Sequence, residues 1–128
     1  GTLNGYSAVG NVVVLEHATK SGRPLYSMVA HLVPGSVKVK AGAPVRRGQV
    51  LGACGNSGNS SEPHLHFQVM DGTRVESSFG IEPVFGQVTV VRQGERSIEA
   101  GYTFLKDDVV SQATGVAARR NGLDTTLR

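Results

Sequence analysis

The sequence predicts an all-β domain. Three observations carry that expectation: short runs rich in β-branched residues recur along the chain, glycine-rich turns separate them, and no segment spaces its apolar residues at the helical period. Seventeen glycines in 128 residues, with no Gly-X-Y period, fit many tight turns between short strands. Hydrophobic residues at 39% suffice for a core, and the length is that of one ordinary domain with at most a short appendage.

The first strand is read at Asn11 to His17, where three valines and a leucine follow one another. Thr19 to Pro24 is a turn cluster, and Leu25 to Leu32 reads as a second strand, so the pair forms a hairpin. Pro34-Gly35 turns the chain again. Val37 and Val39 alternate with Lys38 and Lys40, the pattern of a half-exposed strand. Ala41 to Pro44 turns, Arg46-Arg47-Gly48 follows, and Gln49 to Cys54 reads as a short strand. Gly55 to Pro63 is a loop by composition. His64 to Met70 alternates strictly, with His64, His66, Gln68 and Met70 on one face and Leu65, Phe67 and Val69 on the other. Val84 to Arg92 gives one more strand, and Ile98 to Leu105 a further one. Asp107 to Arg128 is polar and aperiodic and reads as a tail or partner-dependent segment. The expected organisation is a β domain over residues 1–94 and an extension or tail over 95–128.

Charge and composition narrow the function. Thirteen Lys+Arg against ten Asp+Glu give +3, mildly basic and far from a nucleic-acid signature. Arg46-Arg47 and Arg119-Arg120 are isolated pairs read as solvated faces, and three Tyr, four Phe and no Trp offer no stacking platform, so no nucleic-acid partner is expected. No apolar run approaches the roughly 20 residues of a membrane span, and the start does not read as a signal peptide. The chain opens on Gly1 rather than Met, so it is expected to be a processed or cut segment. The lone Cys54 excludes an intrachain disulfide and a Cys-only zinc site, and is expected to be a small buried strand residue.

The chemistry concentrates in the histidines. His64 and His66 sit at i and i+2 of a strand and project from one face, with Leu65 and Phe67 anchoring the other. Such a pair serves a metal or acid–base work. His31 closes its strand next to a turn, and three imidazoles converge if the two strands are neighbours. His17 reads as an exposed or satisfied strand-end residue. Asn56, Ser57, Asn59 and Ser60 are expected to line a groove or make turns. Gly55 to Ser61 lacks Gly-Lys-Ser/Thr and leads into a strand, so it is not a phosphate loop, and no acid partner supports Ser60 or Ser61 as a nucleophile with His64.

Several segments together resemble the lysostaphin-like (LytM-type) zinc endopeptidases, which cut peptide cross-links in bacterial peptidoglycan. They are Gly10 to His17, Val29-Ala30-His31-Leu32, Val37 to Gly52, Gly55-Asn56-Ser57-Gly58-Asn59-Ser60, and Pro63-His64-Leu65-His66-Phe67-Gln68-Val69. The last two, in this order and spacing, are the most specific. Gly80 to Phe85 is similar to an extension that follows the core in some members. The resemblance covers about the first two-thirds of the chain and implies an antiparallel β-sheet groove. It implies that His66 is a zinc ligand, and that His31 and His64 are catalytic histidines beside a zinc-bound water that attacks the peptide bond. It also implies a cell-envelope or secreted location and a peptidoglycan peptide as partner.

The chain departs from that family in one serious respect. Two of the three protein ligands to zinc come from an upstream His-x-x-x-Asp motif, and none occurs here: Ser21 stands four residues after His17 and Gly35 four after His31. The Zn2+ site is therefore incomplete in this chain, which as an isolated molecule is expected to bind zinc weakly and to be inactive. Either a segment before Gly1 or a partner chain completes the site, or the protein is a degenerate member that binds cell wall or activates another hydrolase. A third arrangement has His31, His64 and His66 holding the metal by themselves. Val29, where the family often has an aromatic, is a smaller departure. Val39 to Gly52 also looks like the hammerhead of biotinyl/lipoyl carriers, but no lysine occurs between Lys40 and Lys106 to carry the group.

Overall fold

A computed structural model, describing residues 8–113 and 125–127, is built from antiparallel strands and one 3₁₀ turn at Val75–Ser77. In chain order the strands are β1 (Asn11–His17), β2 (Leu25–Leu32), β3 (Pro44–Val45), β4 (His66–Met70), β5 (Gly80–Ile81), β6 (Phe85–Arg92), β7 (Glu95–Tyr102), β8 (Val109–Gln112) and β9 (Thr125–Leu127). The all-β, antiparallel expectation holds, and the bounds of β1 and β2 are those read from the sequence. The described residues divide into two compact units, one comprising 8–81 with 125–127 and the other 82–113. Gly1 to Ser7, Arg119-Arg120 and much of the segment read as a tail lie outside the described residues.

In the first unit the sheet order is β3-β9-β1-β2-β4-β5. β2 is central to the site, pairing with β1 on one side and β4 on the other. Register decides which residues share a face. Met28 lies beside Val14 and Gln68, Ala30 beside His66, and Tyr26 beside Met70. Met28, Ala30 and Met70 form a buried cluster on that face, with Val9, Val12, Val14, Tyr26 and Val75 packed against it. Burial of Met28 and of Met70 contributes about 1.5–3 kcal/mol each. A second cluster joins Val13 to Leu32, covered by Leu15, Val39, Val45 and Leu51.

Three strand expectations change. Val37 to Lys40 forms no strand, although Val39 still packs onto the Val13 cluster. Gln49 to Cys54 forms none either. A single bond, Lys38 N–H to Leu51 O, joins these two segments, and Ala53 O accepts from Val33 N–H beyond the end of β2, so no ladder forms. Turns with positive φ at Gly35, Gly42 and Gly48 break the runs before pairing can extend. Cys54 is correspondingly exposed instead of buried, its backbone in an isolated bridge with Leu32. The third change concerns β4. It starts at His66, with His64 in a separate bridge to Gly55, and Leu65 and Phe67 do not anchor a buried face: they are 55% and 44% exposed. The loop residues that cover this side of the sheet pack on Val13 and Leu32 instead.

The second unit is a three-stranded sheet in the order β7-β6-β8. β6 and β7 meet through Gln93 and Gly94, whose φ values of 51° and 85° make the two-residue turn that suits a twisted hairpin. β7 is thereby shifted from the expected Ile98–Leu105, and β8 and β9 arise within the segment read as a tail. Asp108 is the polar centre of this unit. It accepts hydrogen bonds from Leu105 N–H, Arg92 and Tyr102 O–H, which together hold its carboxyl below the usual carboxylate range despite burial. Phe85 and Phe104 stack with ring centroids 4.2 Å apart.

Candidate active site

The site forms where β2 leaves the sheet. His66 opens β4 and pairs with Ala30, so its side chain shares the face that carries Met28 and Met70. Regular alternation would send the next residue of β2, His31, to the opposite face. The backbone prevents that: His31 has φ 59°, a left-handed conformation uncommon outside glycine. Its N–H is held by Val9 O at 3.0 Å. The result is a run of three buried residues, Ala30, His31 and Leu32, in which Leu32 joins the Val13 cluster and His31 lies beside His66.

His64 completes the group from the exposed side. Ring centroids lie 4.7 Å apart for His31 and His64 and 5.5 Å for His31 and His66. One donor nitrogen from each of the three falls within 4.8 Å of the others. The structure thus brings together His31, His64 and His66, the pair singled out by its spacing and the strand-end histidine set beside it. His31 is 4% exposed and His64 is open to solvent, so the cluster runs from the interior to the surface.

Hydrogen bonds set the protonation pattern. His31 Nδ1 lies 2.8 Å from Ser57 O, and His64 Nδ1 lies 2.8 Å from Glu62 O. A carbonyl oxygen can only accept, so each Nδ1 carries its proton and, in the neutral ring, each Nε2 carries the lone pair. Ser60 Oγ is 3.2 Å from His64 Nδ1 but donates to Glu62 O at 2.9 Å. His64 therefore has no lone pair at Nδ1 to activate Ser60, and a serine nucleophile is not assembled here. His66 Nε2 lies 3.2 Å from Gln68 Oε1.

The residue that sequence reasoning undervalued is Ser57. Its Oγ donates to Leu32 O at 2.7 Å and accepts from Asn11 N–H at 2.9 Å. Around it the backbones are in close contact: a β-carbon on Gly58 would lie 2.4 Å from Gly10 N, and one on Gly10 would lie 2.4 Å from the carbonyl carbon of Ser57. The only sequence signal for this was a serine set between Gly55 and Gly58 in a loop leading to the histidines. His17 stands apart from the cluster. Its Nε2 hydrogen-bonds Ser27 Oγ at 2.7 Å, and burial lowers its pKa.

Comparison with known proteins follows the same residues. The sequence model of Peptidase family M23 matches residues 2–78. Over 61 residues, 48% of this chain, the sequence is 38% identical to a peptidoglycan DD-endopeptidase, ShyA, of Vibrio cholerae. This chain spans 13% of the length of that relative. No solved structure matches. With more than half of its length matched, including every member of the histidine cluster, the chain belongs to peptidase family M23.

Proposed function

We propose that this chain forms the histidine-bearing core of a peptidoglycan endopeptidase, hydrolysing peptide cross-links of the bacterial cell wall outside the cytoplasm. The observation that carries the reading is the convergence of His31, His64 and His66 in a member of a peptidase family. The related DD-endopeptidase supports the substrate class.

The donor set fits zinc. Imidazole nitrogen is a preferred ligand, and one ring nitrogen of His66 already faces an outer-shell acceptor, Gln68 Oε1, as zinc-bound histidines do. His66 is the proposed ligand, placed on a strand and backed by Gln68. Zinc, when bound, supplies a nucleophilic water near neutral pH and polarises the scissile carbonyl. The chain's own residues do the rest. His31 and His64 accept a proton at Nε2, because Ser57 O and Glu62 O hold the other proton at Nδ1. Once protonated, they donate from Nε2 to the developing oxyanion or to the leaving amine. Burial of His31 keeps water from competing for its ring, whereas the exposed His64 meets the substrate.

One histidine does not hold zinc tightly, and the 128 residues contain no His-x-x-x-Asp. The proposal therefore includes that a His and an Asp from outside this sequence complete the metal site, and that the isolated chain is inactive. A second reading, favoured by the 4.8 Å grouping of the donor atoms, is that all three imidazoles hold the metal by themselves. Elemental analysis decides, after dialysis against zinc and then metal-free buffer, with His66→Ala and His31→Ala alongside. The expected result is well below one zinc per chain and no peptide release from peptidoglycan. About one zinc per chain, lost in both variants, establishes the second reading. Chelator-sensitive peptide release by this chain alone would falsify its inactivity. Joining an upstream segment that carries His-x-x-x-Asp is expected to bring both zinc retention and cleavage; retention without cleavage points to a wall-binding module.

A further inference from the structure

We propose that Ser57 is the positioning residue of His31: its hydroxyl fixes the carbonyl that dictates which nitrogen of the ring carries the proton. The inference deepens the reading above and rests on it only for its catalytic meaning. Its structural content stands on the contacts of this loop.

Three bonds converge on Ser57 around His31. The carbonyl accepts from His31 Nδ1 at 2.8 Å, while Oγ donates to Leu32 O at 2.7 Å and accepts from Asn11 N–H at 2.9 Å. The side chain thus ties the start of β1 to the end of β2, and the main chain of the same residue holds the ring between them. A hydroxyl is the group that can donate to a carbonyl and accept from an N–H at one atom. Alanine can do neither, and leaves Asn11 N–H without this acceptor. Leu32 O keeps a longer bond, from Asn11 Nδ2 at 3.3 Å.

Backbone contacts seat the loop on residues 8–10. Gly58 and Gly10 are in backbone contact, and Asn59 N–H bonds Ala8 O at 2.8 Å. With the loop seated by these contacts, the hydroxyl sets the remaining freedom, the direction of the Ser57 carbonyl. That direction matters because the left-handed backbone at His31 leaves its ring against the loop. When the carbonyl turns away, no other acceptor among the described residues holds the proton at Nδ1. The ring then populates the other tautomer, in which Nε2 is protonated and cannot accept.

The test reads the tautomer directly, by long-range ¹H–¹⁵N spectra of the imidazoles in the full chain at pH about 8, above the ordinary histidine value of about 6.5. In the wild type, His31 is expected as a single Nδ1–H tautomer. In Ser57→Ala both tautomers of His31 are expected, with His64 unchanged because its partner is Glu62 O. Ser57→Thr, which keeps the hydroxyl, is expected to restore the single tautomer. A purely structural role would disturb His31 and His64 alike, or neither. An unchanged His31 in folded Ser57→Ala overturns the proposal. So does a wild-type His31 that is already mixed or Nε2–H, a result that holds even if the alanine variant fails to fold. None of these outcomes depends on hydrolysis, so the positioning role and the endopeptidase reading fail separately. In any active form, Ser57→Ala is expected to lower kcat by roughly 10–100-fold, the usual cost of removing an outer-shell partner, with KM little changed.

Discussion

His31 holds φ at 59°, where a β-carbon crowds its own flanking peptide groups. Glycine takes this conformation freely but loses more entropy on folding, so about 1 kcal/mol of net advantage remains for it. His31→Gly is therefore expected to unfold at higher urea than His31→Ala, although both lose the same imidazole contacts. Equal midpoints would mean that the left-handed conformation is not held in solution. This residue also marks a limit of the sequence. That His64 and His66 share a face follows from their i, i+2 spacing. That His31 joins them depends on a break in alternation, set by the bond its N–H donates to Val9 O and by the packing of Ser57, both distant in sequence. His17 carries a separate residue-scale expectation. Burial lowers its pKa, so the unfolded chain binds its proton more readily than the folded one. Its contribution to stability is present above the unfolded value of about 6.5 and is lost as pH falls through that value toward the folded one. Denaturation of wild type and His17→Gln across this range should show the wild type losing stability faster on acidification. Parallel curves would contradict the assigned burial.

At the scale of elements, the loop over Gly55 to Pro63 was legible as a loop and illegible as a fastener. Its composition shows turn residues, but backbone contact with 8–10 is a tertiary event with no local pattern. The two strands that failed to form, Val37 to Lys40 and Gln49 to Cys54, failed for a related reason: a strand-like local pattern does not supply a partner, and the intervening glycine turns leave no straight one. Two glycines separate the effects of conformation and of space. Gly35 has φ 74° with nothing within 4 Å of its missing β-carbon, whereas Gly58 has φ 77° with Gly10 N at 2.4 Å. Gly35→Ala is expected to cost about 1–2 kcal/mol from the left-handed backbone alone. Gly58→Ala should exceed it by roughly 1–3 kcal/mol, since the atoms it meets are main chain and cannot swing aside. Denaturant midpoints at unchanged m-value measure both. Similar costs for the two would show that the loop is not seated on the N-terminal segment.

At the scale of the whole molecule, the question is which face of the first sheet carries its stability. Strict alternation over His64 to Met70 separates two faces but does not say which one points inward. Hydrophobicity favours the Leu65, Phe67 and Val69 side, and that inference fails at Leu65 and Phe67. Met70, on the histidine side, is fully buried, while Leu65 is 55% exposed. The reason is the order of the sheet: β4 is followed outward only by the two-residue β5, and the covering residues Val39, Val45 and Leu51 gather on the Val13–Leu32 cluster. The buried methionines thus support the histidines from their own face, coupling the site to the core that holds β2 and β4 together. Met70→Ala is expected to cost about 2–5 kcal/mol, as for other large-to-small changes in a core. Leu65→Ala, although it removes an apolar side chain one residue from both His64 and His66, should cost less than about 1 kcal/mol, since more than half of that residue's surface stays in water. Paired denaturation curves decide. If Leu65→Ala proves as costly as Met70→Ala, the apolar face of β4 is covered in solution, and the support of the site lies on both sides of the sheet.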